Sequence, residues 1–434
     1  MNLETQHKTR SPWTWVPTLY FAEGLPYVMV MTVSVIMYKR FGLSNTEIAL
    51  YTSWLYLPWV IKPFWSPFVD ILKTKRWWII AMQLLIGGGL AGVALTLPTP
   101  FYLQASLAFF WLLAFSSATH DIAADGFYML ALDDSQQSFF VGIRSTFYRL
   151  AMITGQGLLI ILAGFLEKST GKISLSWSIT FLVLSGLFIA FFVYHNFILP
   201  HPASDVERKG QTPQKILAEF GNTFASFFSK KGIILAIAFM FLYRLAEAML
   251  VKLASPFLLD SRETGGLALS TQEVGLVYGT VGVIALTIGG IIGGIVASQK
   301  GLKFWLWPMA LAITLPNVAY VFLSMTQPDN IWWVNIAVAI EQFGYGFGFT
   351  AYMLYLIYFS EGEHKTAHYS ICTGFMALGM MLPGMAAGWI QEQLGYQNFF
   401  IFIMICTIPT LLLVPFMKID PEFGKKKIKD KTRN

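Results

Sequence analysis

Cysteine is almost missing from this 434-residue chain: Cys372 and Cys406 both sit inside apolar runs. That pattern offers neither a disulfide framework nor a zinc site. Charge is scarce as well, with Asp, Glu, Lys and Arg making up 12% of the residues against roughly 25% in ordinary soluble domains. There is no HExxH, no GxSxG, no GxxxxGK[ST] and no metal-spaced Cys/His set, so the residues of zinc-protease, hydrolase and P-loop chemistry are lacking. The polar N-terminus, MNLETQHKTRSP, does not read as a cleavable signal peptide, because the first apolar run is too long and leads into further spans. No metal, cofactor or enzyme activity is expected.

What the chain has instead is apolar and aromatic residues, 55% and 16% of the whole. Runs of about 20 apolar residues match the roughly 30 Å hydrocarbon core of a bilayer. Counting such runs predicts an all-α integral membrane protein of twelve transmembrane helices. They fall near 12–38, 46–70, 76–97, 102–131, 138–166, 174–199, 231–258, 270–298, 303–325, 330–359, 366–392 and 397–418. The longest polar segment lies between the sixth and seventh. This divides the chain into an N-terminal six-helix bundle (1–200), a cytoplasmic linker (201–230), a C-terminal six-helix bundle (231–418) and a basic tail (419–434).

Lysine and arginine in short loops set orientation. With the N-terminus in the cytoplasm, twenty of them fall inside against five outside, Lys39, Arg40, Lys168, Lys172 and Arg262. Both termini are therefore expected in the cytoplasm. The net charge of +6 follows this topology and implies no nucleic-acid partner; the tail contacts acidic lipid or stays solvated. The halves also echo one another: LYFAEGLP (19–26) opens the first and LYRLAEAML (242–250) the second. A six-plus-six count with parallel halves is what a major-facilitator transporter shows, with substrate near the midplane between the repeats.

Five positive residues remain inside the spans, Lys62, Arg144, Arg149, Arg244 and Lys252, together with Glu23, Asp70, Asp121, Asp125, Glu247 and Glu341. A charge at the bilayer centre costs at least about 2.5 kcal/mol, so each needs a cavity or a partner. Asp125 and Asp121 lie about 6 and 10 residues from the cytoplasmic end of the fourth helix, and Arg144 and Arg149 about 6 and 11 residues into the fifth. Matched depths predict the pairs Asp125–Arg144 and Asp121–Arg149, either as a structural clip or as part of a gate. Glu23, Arg244, Glu247 and Glu341 fall nearer the midplane, where they would bind a polar substrate or take up a coupling proton. Arg244 and Glu247, three apart on one helix, also read as a self-neutralising pair. His120, beside Asp121, reads as a proton shuttle or as a histidine that is simply hydrogen-bonded. The stretches GGIIGGIVA (289–297) and GMMLPGMAAG (379–388) suit close helix packing.

Four stretches together resemble the AmpG group, muropeptide permeases in the peptide, acetyl-CoA and drug transporter branch of the major facilitator superfamily. They are FAEGLP in the first helix, FWSPFVD (64–70), SATHDIAADGFY in the fourth and FYRLAMITGQGL (147–158). The resemblance maps the family's second-helix motif onto Trp65, Ser66, Pro67 and Asp70, its paired aspartates onto Asp121 and Asp125, and its Tyr-Arg onto Tyr148 and Arg149. His120 departs from the usual polar residue of the fourth motif, and the longer members carry two extra spans. The resemblance implies a proton-driven importer of anhydro-muropeptides in the bacterial inner membrane.

These lines converge on a monomeric proton-coupled symporter, whose partners are a small-molecule substrate, protons and membrane lipid. Glu23, Arg149, Arg244, Glu247 and Glu341 are its substrate or proton residues. Asp70, His120, Asp121, Asp125, Arg144, Tyr148 and Arg149 form its gate network. Uptake of a siderophore, transport of acetyl-CoA or a drug, and uncoupled facilitation are the readings of the same fold that stay open; an embedded enzyme or a receptor is the reading of another class.

Overall fold

The computed structural model describes the backbone of residues 10–206 and 213–425; the side chains of residues 70, 71, 134, 138 and 213–220 lie outside the description. The described chain is helical, with no β-strand among the described residues. In chain order the α-helices are α1 Val16–Val28, α2 Ser34–Arg40, α3 Asn45–Trp54, α4 Leu57–Leu72, α5 Lys75–Thr96, α6 Tyr102–Ala131, α7 Asp134–Ile153, α8 Leu159–Thr170 and α9 Ile173–Ile198. They continue as α10 Pro213–Phe228, α11 Ile233–Leu242, α12 Leu245–Leu259, α13 Thr271–Val274, α14 Val283–Lys300, α15 Leu302–Thr314, α16 Val318–Thr326, α17 Ile331–Ser360, α18 Lys365–Cys406 and α19 Ile408–Leu413. Their ends fall where local chemistry stops or starts a helix. Ser44 with Glu47, Asp133 with Gln136 and Ser270 with Glu273 form capping boxes at the starts of α3, α7 and α13.

Eight helical stretches among the described residues are long and apolar enough to cross a membrane. Two of these, Thr271–Thr326 and Lys365–Phe416, run to 56 and 52 residues, far beyond the roughly 20 that one crossing takes. Gly301 at φ 80° and Gly395 at φ 72° interrupt them, in a backbone region that side chains with a Cβ avoid. Many large apolar side chains point outward: Ile234, Phe197, Trp332 and Phe416 are each two-thirds or more exposed. Such a surface is costly in water and suited to lipid. Residues 213–228, within the segment expected to link the halves, form α10, whose Phe227 is buried against Phe359 and Phe375. Spaced aromatics at 224, 227 and 228 give that segment an apolar face which a polar average conceals.

The chain forms two compact units. The first comprises residues 1–30, 64–155 and 165–216. Within it α1 packs on α6 and α7, and α5 on α6 and α9, around Trp15, Leu19, Tyr20, Ala123 and Phe127. The second comprises residues 31–63, 156–164 and 217–434. There α14 packs on α17, α15 on α17, and α18 on α3, α11 and α12, with Phe239, Met240, Tyr243, Met309 and Tyr352 at the core. The α14–α17 contact is glycine-dependent: a Cβ on Gly289 would sit 2.2 Å from the Phe343 carbonyl oxygen, and one on Gly346 2.0 Å from that of Leu286. This is the close approach that small residues permit between membrane helices.

Candidate functional site

In the first unit, α1, α6 and α7 bring three side chains together. Arg144 pairs with Asp125 at 3.0 Å, donates to the Tyr20 hydroxyl at 3.0 Å and stacks its guanidinium 4.5 Å over the Tyr20 ring and 5.1 Å over Tyr128. Tyr20 in turn donates to Asp125 at 3.2 Å. Asp125 is thus held by a cation and a hydroxyl from two different helices. The ion pair itself is partly solvated, with side chains 30% and 44% exposed. In that setting the pair alone contributes on the order of 1 kcal/mol or less; the aromatic faces add about 0.5–1 kcal/mol.

Tyr148 stands at the next level of the same network. Its electrostatic neighbours are Tyr27, Asp121, Glu23 and Asp125, and Arg149 lies within electrostatic reach of it. Asp125 and Arg144 therefore meet directly, and Asp121 and Arg149 both lie within electrostatic reach of Tyr148. Glu23, one turn beyond Tyr20 on α1, is buried and is felt by Tyr20, Arg144 and Tyr148. It therefore lies within electrostatic reach of this cluster. The Asp70 side chain lies outside the described residues.

His120 enters a different set of contacts. It is 1% exposed and bonds Gln83 Nε2 through its own Nε2 at 3.1 Å. The other end of Gln83 accepts from His195 Nδ1 at 3.0 Å, and His195 Nε2 meets the Thr18 hydroxyl at 2.9 Å. The amide fixes the tautomers, because its NH2 end must donate and its oxygen must accept. His120 Nε2 is then an acceptor and His195 Nδ1 a donor, and the Thr18 hydroxyl is shared between His195 Nε2 and the Trp15 carbonyl. The chain ties α1, α5, α6 and α9, and Gln83 and His195 were its unread signals: polar side chains inside otherwise apolar runs.

In the second unit the helix breaks between α11 and α12, and Arg244 sits at that break as the N-cap of α12 with φ −112°. Its guanidinium donates to the Tyr345 hydroxyl and lies 4.8 Å over Phe349 and 5.8 Å over Tyr352. Glu247, in the first turn of α12, is 2% exposed, and neither of its carboxyl oxygens has a hydrogen-bond partner among the described residues. Its electrostatic neighbours are Arg244 and Glu341. Glu341, also 2% exposed, accepts from Gln342 Nε2 at 3.0 and 3.2 Å, with Tyr278 and Tyr320 in electrostatic reach. The guanidinium thus neighbours Glu247, and Glu247 neighbours Glu341; burial makes any uncompensated charge in such a row expensive.

A third cluster in this unit drew no attention as sequence. Lys39, at the end of α2, pairs with Asp260, which caps α12, at 2.6 Å. Asp260 also accepts from Tyr396 at 2.6 Å. Asn45 accepts from Lys39 at 2.8 Å and donates to Gln391 at 2.6 Å and Tyr396 at 2.8 Å. Nearby, Glu392 receives the backbone N–H of Thr46 at 2.9 Å. The backbones are close enough that a Cβ on Gly388 would meet the Asn45 carbonyl oxygen at 2.0 Å. Residues 39–46 are thereby locked to residues 260 and 391–396. The signal was hidden because these residues sit at helix ends, where polar side chains read as ordinary loop.

Comparison with known proteins places this arrangement. The family model of the Major Facilitator Superfamily matches residues 18–367. The chain is 27% identical over 417 residues to the putative transporter AmpG 4 of Rickettsia conorii, covering 92% of this chain and 94% of that one. It is 25% identical over 409 residues to the anhydromuropeptide permease of Escherichia coli K12, covering 91% and 77%. Among solved structures, the D-xylose–proton symporter superposes with a TM-score of 0.68 at 13% identity, over 95% of this chain and 98% of that one. The nucleoside transporter NupG gives 0.69 at 16%, over 92% and 96%; both show likeness of fold. The helical membrane architecture and the matched residues establish that the chain belongs to the Major Facilitator Superfamily.

Proposed function

We propose that this transporter is a proton-coupled symporter of the bacterial inner membrane, importing bulky sugar-containing solutes of the anhydro-muropeptide type with both termini in the cytoplasm. The observation that supports the coupling is a pair of buried carboxyls in the second unit, Glu247 and Glu341, in electrostatic reach of each other, with Arg244 beside Glu247. One carboxyl is matched by the guanidinium; the other is matched by a proton, and movement of that proton with the solute links uptake to the gradient. Asp121, Asp125, Arg144, Tyr148 and Arg149 act as the gate network of the first unit, and Glu23 beside it serves as a substrate or proton residue. The substrate class follows from likeness to the anhydromuropeptide permease and the AmpG-named proteins.

The test is uptake of purified anhydro-muropeptides into proteoliposomes with and without an imposed inward proton gradient. Accumulation that depends on the gradient is expected. Uptake indifferent to the gradient refutes coupling, and absence of uptake for every cell-wall fragment refutes the substrate class.

A further inference from the structure

Lys252 lies on α12 and is 4% exposed, yet no described carboxylate pairs with it. Its Nζ donates to the Thr52 hydroxyl at 3.0 Å and lies 5.5 Å over the Tyr56 ring. An ammonium has three donors, so two remain after Thr52. Around it are two further donors. Ser53 is fully buried and Ser255 is 2% exposed, and neither hydroxyl has a hydrogen-bond partner among the described residues. Ser255 is one turn along α12 from Lys252, on the same helical face. A Cβ on Gly384 would meet Ser53 Oγ at 2.7 Å and Lys252 Cε at 3.6 Å, so α3, α12 and α18 converge here on one point, where the glycine lets the α18 backbone approach the Ser53 hydroxyl and the Lys252 stem.

A buried ammonium without a counter-ion, beside two buried hydroxyls without partners, is a set of donors lacking an acceptor. Buried polar groups in folded proteins are almost always satisfied, so each such orphan calls for a ligand or solvent. The set carries one positive charge, which matches a singly charged carboxylate; a phosphate dianion would be left undercompensated. We infer that Lys252, Ser53 and Ser255 form a binding site for a carboxylate of the transported solute, with Thr52, whose hydroxyl donates to the Ile48 carbonyl, positioning the ammonium. This rests on the reading of the chain as an importer of sugar-containing solutes. It adds an anion-recognising point to that reading, separate from Arg244, Glu247 and Glu341.

The experiment is thermal melting of the full detergent-purified chain with N-acetylmuramic acid, which carries a carboxylate, with N-acetylglucosamine, the same sugar without it, and with sodium chloride. N-acetylmuramic acid is expected to raise the melting temperature of the parent and the other two to leave it unchanged. Lys252→Met removes the rise, and Ser53→Ala reduces it. Lost charge-assisted bonds at one site weaken binding about tenfold or more. Should Lys252→Met fail to fold, Lys252→Arg, which keeps the charge and changes the geometry, and Ser53→Ala give the same reading. An equal rise in Lys252→Met, or a rise given equally by N-acetylglucosamine or by chloride, overturns the assignment. The two failures are distinguishable: if proteoliposomes take up no cell-wall fragment while the carboxylate-specific shift persists, the site stands and the substrate reading falls.

Discussion

Lys39 Nζ lies 2.6 Å from Asp260 Oδ1, with the side chains only 14% and 19% exposed, and Asn45 touches both partners. The pair joins the end of the first long helix to the end of α12, and Tyr396 and Gln391 complete a polar lock in which every member has a partner. Satisfied networks of this kind rigidify, and removing one member leaves the rest exposed to a desolvation penalty.

Lys39→Met and Asp260→Asn should therefore each destabilise the protein by about 1–3 kcal/mol. The double variant should cost clearly less than the two single costs added together, since each single change breaks the same contact. Melting temperatures of the four proteins in one detergent measure this. Strict additivity would show that the two residues act independently.

The Asp125–Arg144 pair of the first unit is more solvated, so its stability effect should be smaller. Arg144→Lys keeps the charge and loses the geometry that reaches both Tyr20 and Asp125. Its melting temperature should stay close to the parent's, with a loss of about 1 kcal/mol, while initial uptake falls severalfold if the network gates transport. Parent-level uptake would mark the cluster as a structural clip.

The two acids of the second unit should separate coupling from binding. Glu341→Gln and Glu247→Gln replace a carboxyl by a neutral amide of the same shape. At least one of them should abolish gradient-driven accumulation and still exchange solute across the vesicle membrane. Isotope exchange and net uptake, measured on the same vesicles, decide it. Retained accumulation in both variants would remove these carboxyls from the coupling step.

Glycine at the α14–α17 contact makes a prediction about packing alone. Gly289→Ala and Gly346→Ala place a methyl at about 2 Å from a carbonyl oxygen, so the helices must separate, at about 1–3 kcal/mol or more. Gly294→Ala, with nothing within 4 Å, is the matched control. It should melt with or slightly above the parent, since alanine is the better helix former; equal losses at all three positions would rule out the contact as the cause.

Much of this was legible before any fold was known. Apolar runs of membrane length are a local property, and the helices lie within a few residues of where those runs put them. The segment 213–228 was the visible exception, since its aromatics are diluted by polar neighbours. Matching the depths of charges along successive helices was enough to bring Asp125 to Arg144, because depth depends on rise per residue alone.

Depth does not say which way a side chain faces, and that is where tertiary structure decided the rest. Rotation of α1 puts Glu23 within electrostatic reach of Tyr20 and Tyr148, a relation that counting along the chain does not contain. Rotation of α6 turns His120 toward Gln83, whose other end holds His195. Lys39 and Asp260 are far apart in sequence, and only the packing of α2 and α3 on α12 and α18 makes them partners. Lys252 was visible as a charge within a span; that it lies buried without a counter-ion, among hydroxyls that lack partners, is a fact of packing. Hydropathy and spacing thus settle where each helix runs, whereas the rotation and pairing of helices, set by side-chain packing across the whole unit, settle what each buried charge meets.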